Sequence, residues 1–161
     1  MPRKHRSWVS GTTGPLPPGD PWARPAGVDD ATVRACGTLG EGFERLERAR
    51  GHLYAFHQLL GRADFCFSEA ADELADAGHE ELATRIRREV VGRNVLEGRW
   101  TYQVVEEFDG CYFGPVADVE RVVRDRLLEG RRHVYEAELK EQRRSHDLPG
   151  HERRPRPAEA R

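Results

Sequence analysis

The chain has 161 residues, of which 34% are charged and 37% apolar, a balance that suits one domain with tails, an economical core and a strongly ionic surface. Its net charge of -2 is unevenly spread, at +3 over residues 1–27, -6 over 28–145 and +1 over 146–161. An acidic centre argues against nucleic acid as a partner, and no apolar run nears the roughly 18–20 residues that cross a bilayer.

Residues 1–28 hold six prolines and several glycines and are expected to form a disordered N-terminal tail, in which Trp8 and Trp22 are unusual aromatics. Arg3, Lys4 and Arg6 are followed by Gly and Pro rather than by the apolar segment of a signal peptide, so a cytoplasmic location is expected. Thr38 and Glu41 match a capping box that would open a helix.

From there a heptad runs over 39–77. Leu39, Leu46, Leu53, Leu60, Phe67 and Leu74 recur every seven residues, and Gly42, Ala49, Phe56, Ala63, Ala70 and Ala77 follow each of them by three. One seam position is large and the other mostly small, so a facing helix can approach closely. The pattern predicts a long helix, packed as an antiparallel hairpin or bundle or pairing with another chain, with Gly78 as its stop. Cys66, between Phe65 and Phe67, reads as ordinary apolar burial; with Cys36 and Cys111 it forms no disulfide or CxxC pattern.

A second helix is predicted over Glu80–Glu97, with Leu82, Ile86, Val90 and Val91 on its apolar side. Arg85, Arg87 and Arg88 alternate with Glu80, Glu81 and Glu89, as on a solvated helix face. Over 99–113, strand-like alternation competes with a helical face of Trp100, Val104 and Phe108; helix is favoured because a strand would lack a partner. Gly114-Pro115 is expected to open a last helix reaching Arg143–Arg144. The segment 146–161 is expected to be a disordered C-terminal tail, so the fold class is all-α, with one helical domain over 29–145.

The segments GRNVLEGRW (92–100) and GRRHVYEAELKE (130–141) resemble those of small uncharacterised helical proteins of actinobacteria. That resemblance spans roughly residues 38–152 and implies a helical fold, with no activity or catalytic residues attached.

Chemistry is sparse. Arg50, His57 and Asp64 lie seven apart along the seam edge, where each can meet a partner on a facing helix, with Glu106, Glu107, His133 and Glu136 as candidates. Arg93, Asn94, Arg99, Trp100 and Gln103 surround Gly98 and offer guanidinium, amide and indole groups either to an anionic or aromatic ligand or to a helix cap. A di-metal bundle needs Glu-x-x-His elements, and the chain has none. His57, Glu106 and His133 are the candidate ligands for a single metal ion; no other cofactor is expected. No phosphate loop, dinucleotide fingerprint or HExxH motif is present.

The leading expectation is therefore an interaction or scaffold protein acting through the face of Leu39, Leu46, Leu53, Leu60, Phe67 and Leu74, with a second copy or another helical protein as partner. The alternative is a ligand- or metal-binding helical bundle.

Overall fold

The computed structural model describes residues 14–146 and 148–155. Every described element is helical, as the heptad and capping patterns predict. The order is α1 (Asp30–Asp76), α2 (Glu80–Glu89), α3 (Thr101–Phe108), a π-helical segment (Asp109–Phe113), α4 (Gly114–Leu128) and α5 (Val134–Arg143). The chain divides into two compact units: residues up to Glu44 together with those from Val116 onward, and the intervening Arg45–Pro115. The long helix α1 contributes to both.

α1 begins eight residues before the Thr38 box. The Asp29 carboxylate accepts the Thr32 N–H at 2.7 Å while its carbonyl accepts the Val33 N–H, so Asp29 caps the helix. Its end is the expected one. Gly78 adopts φ +86°, its N–H bonds the Ala75 carbonyl and the His79 N–H bonds the Leu74 carbonyl, the paired closure that only a residue free to go left-handed completes cheaply.

In the unit formed by the two chain ends, the core is Val33 of α1, Leu128 of α4, and Val134 and Tyr135 of α5, flanked by Val28, Cys36 and Leu139. Burying a Val or Leu side chain contributes about 1.5–3 kcal/mol. Residues 14–28 were expected to form a loose tail, but Leu16, Ala23 and Pro25 are buried and the segment is tied down by charge. Arg24 grips the fully buried Glu138 through two hydrogen bonds of 2.7 Å and also bonds Asp30 and the Val28 carbonyl. Asp20, also buried, pairs with Arg153 and Arg154, which docks part of the other expected tail. Trp22 is half-buried, whereas Trp8 lies outside the described residues.

The predicted last helix is broken in two. Glu129, Gly130 and His133 all have left-handed backbones, φ +52°, +77° and +57°, and the chain turns there before restarting as α5. Arg124 bonds the Gly130 carbonyl and Glu120, steadying the turn.

In the Arg45–Pro115 unit, α2 ends at Glu89 rather than Glu97, and its fully buried residue is Ala83, while Leu82 and Val90 are exposed. Arg87 of α2 pairs with Asp72 of α1 at 2.8 Å, fixing α2 beside the end of the long helix. Within the segment 99–113 the chain is helical from Thr101 to Phe113, with Thr101 and Val105 buried. α4 begins at Gly114-Pro115 as expected, but it follows the π segment without a break. The Gly114 N–H bonds the Asp109 carbonyl five residues back, and a Cβ on Gly114 would lie 3.0 Å from that oxygen.

Candidate functional site

Arg50, His57 and Asp64 each take one partner from the returning chain of their own unit. The Arg50 guanidinium holds Asp109 bidentately at 2.6 and 2.7 Å and lies over the rings of Tyr54 and Phe113, 5.0 and 4.7 Å from their centres. His57 Nδ1 shares a hydrogen bond of 2.8 Å with the buried Thr101 hydroxyl. The Asp64 carboxylate accepts the Gly92 N–H at 2.7 Å. As the α1 position advances from 50 to 64, the partner recedes from 109 to 92. These contacts form an antiparallel ladder that fixes register. The partners are not the expected Glu106, Glu107, His133 and Glu136, and the ladder binds protein rather than a ligand.

The group around Gly98 is likewise consumed by the turn. Leu96 and Arg99 exchange backbone hydrogen bonds, Arg99 pairs with Glu107, the Trp100 N–H donates to the Gln103 side chain, and Arg93 bonds the Glu89 carbonyl. Asn94 is exposed. These residues close a turn and cap α3.

The heptad seam is not simply covered. Leu39, Leu46, Leu53, Leu60 and Leu74 are half-buried, because the ladder draws the polar edge of α1, and not the seam itself, toward the returning chain. The far side of the seam is left outside. Phe56, Leu59, Ala63, Cys66, Phe67 and Ala70 share one helical flank by their spacing. Leu59 is 70% exposed, Phe56 and Phe67 are more than 40% exposed, and Cys66 is exposed rather than buried as expected. Phe65, on another side of α1, is 66% exposed.

Of the expected metal ligands, His57 is bonded to Thr101, and His133 lies with two other ligand-type groups of its own unit. Among the described residues, one set of three ligand-type side chains converges, Glu44 of α1, His133 before α5 and Glu136 in its first turn, with ligand atoms all within 4.8 Å of one another. All three belong to the unit built from the two chain ends. Glu44 was missed because nothing in its local sequence distinguishes it from the other surface glutamates of α1. His133 and Glu136 share a face through their i, i+3 spacing, which was legible.

Comparison with protein-family models, with curated proteins and with solved structures gives no match. Among the described residues, no helix is long and apolar enough to cross a membrane.

Proposed function

We propose that this protein is a helical interaction protein that pairs with a second copy of itself through the outer flank of α1. The observation that carries this reading is the continuous apolar stripe of exposed Phe56, Leu59, Cys66 and Phe67 with half-buried Ala63 and Ala70 between them.

Two features of the stripe favour an antiparallel copy. Small Ala63 lies at the middle of the stripe, so a two-fold axis there sets Phe56 of each copy over the small Ala70 of the other and Leu59 opposite Phe67. Charge is also polarised along α1. Residues 45–62 carry four arginines and one glutamate, whereas 63–76 carry five acids and no base. Antiparallel pairing juxtaposes Arg48 and His52 with Asp76 and Glu73, while parallel pairing sets like charges together.

Sedimentation velocity over a wide concentration range tests the proposal. A reversible dimer is expected, weakened by Leu59→Glu and by raised salt. A monomer at every concentration, or a dimer indifferent to Leu59→Glu, overturns it.

A further inference from the structure

We infer that Glu44, His133 and Glu136 form a binding site for one divalent transition-metal ion of the zinc class, a site independent of the apolar stripe. Three observations converge. One imidazole and two carboxylates, contributed by two helices far apart in sequence, bring their ligand atoms within 4.8 Å of one another. No ion pair or hydrogen bond joins the three side chains or ties any of them to the side chain or backbone of another described residue. Each side chain therefore keeps its lone pairs available, and the two carboxylates stand near each other. A cation at the centre removes that repulsion, and bonds of about 2.0–2.2 Å to nitrogen and oxygen need only small side-chain rotations from these positions.

The donor set selects the ion. Calcium takes six to eight oxygen ligands, and magnesium keeps most of its waters, so neither gains from an imidazole. A nitrogen with two carboxylate oxygens suits zinc and its first-row neighbours. Glu44 and His133 are exposed and Glu136 is half-buried, so the remaining coordination positions open to solvent. Three protein ligands with water completing the shell is the open arrangement, as distinct from a closed four-ligand structural site. His133 supplies its ring from a left-handed backbone at the start of α5 and makes no capping hydrogen bond. That conformation is uncommon for a residue with a side chain, though histidine is among those that tolerate it.

The test is zinc uptake by the full chain after metal removal, measured by equilibrium dialysis with elemental analysis and by isothermal titration. One equivalent is expected for the native sequence, none with magnesium, and a rise in Tm on zinc addition. Glu44→Gln and Glu136→Gln should each weaken uptake at least tenfold. His133→Asn should do the same while keeping the left-handed backbone that asparagine accepts, with circular dichroism confirming that each variant is folded. Absence of saturable uptake overturns the inference, and so does uptake unchanged by these variants, which would place zinc on other histidines. Neither result bears on dimerisation, because the stripe shares no residue with this site.

Discussion

The Arg50 guanidinium and the Asp109 carboxylate meet in a two-pronged contact of 2.6 and 2.7 Å, with Arg50 also stacked over Tyr54 and Phe113. Arginine suits this position because its flat fork matches a carboxylate while its face lies against aromatic rings; lysine offers neither. The contact joins the long helix to the π segment and is the first rung of the register ladder.

Acid should loosen that rung. The hydrogen bonds from Arg50 hold the Asp109 carboxyl below the usual carboxylate range. A depressed native pKa contributes stability that is complete above the ordinary value of about 4 and lost as pH falls through the lowered native value. Urea unfolding should therefore show Asp109→Asn less stable than the native sequence at pH 7, with the difference shrinking below pH 4. A deficit that persists undiminished at pH 2 would refute the assignment.

Arg24 and Glu138 allow a sharper test, because Glu138 is fully buried. The hydrogen bonds to Glu138 push the Arg24 guanidinium still further above its already high pKa, so it stays charged at any working pH. Arg24→Met should cost about 3–5 kcal/mol by removing the guanidinium that grips a buried carboxylate. The double change Arg24→Met with Glu138→Leu should recover most of that loss, since neither charge then needs to be desolvated. Denaturant melts of the four combinations give the coupling energy directly.

Glycines should respond in opposite directions. Gly51 and Gly61 lie inside α1 with nothing within 4 Å of an added Cβ, so alanine at each should stabilise by about 0.5–1 kcal/mol. Gly114→Ala presses its Cβ onto the Asp109 carbonyl and should destabilise by about 1–3 kcal/mol. Equal signs at all three positions would count against the π-helical geometry.

Cross-linking should report the orientation of the proposed dimer. With the two-fold axis at Ala63, Ala63→Cys in a Cys66→Ser background should form an intermolecular disulfide on mild oxidation. The native Cys66 pair, separated by roughly two turns across that axis, should not. Disulfide formation at both positions would indicate parallel pairing.

What the sequence disclosed depended on whether the signal was periodic. The helical class, the Gly78 stop and the polar edge of Arg50, His57 and Asp64 follow from repeats and from the one residue type that readily goes left-handed. The partners on that edge did not, because the Thr101 hydroxyl and the Gly92 N–H belong to no pattern. The start of α1 was misplaced because two caps compete: Thr38 with Glu41 matches a capping box, yet Asp29 makes the bond. The turn at 129–133 was hidden because Glu129 and His133 take left-handed backbones that neither residue advertises. The meeting of Glu44 with His133 and Glu136 follows only from the fold, since no spacing rule joins Glu44 to His133.

The tether between Asp20 and Arg154 sets an order of assembly during synthesis. Every partner in the register ladder has emerged from the ribosome once Phe113 is clear, so the Arg45–Pro115 unit can close while translation continues. The other unit must wait. Arg24 finds Glu138 across 114 positions of chain, and Asp20 finds Arg154 across 134. The segment around Asp20 and Arg24, made before α1, is thus among the last to be secured, and until then its buried acid and its buried apolar residues remain in solvent.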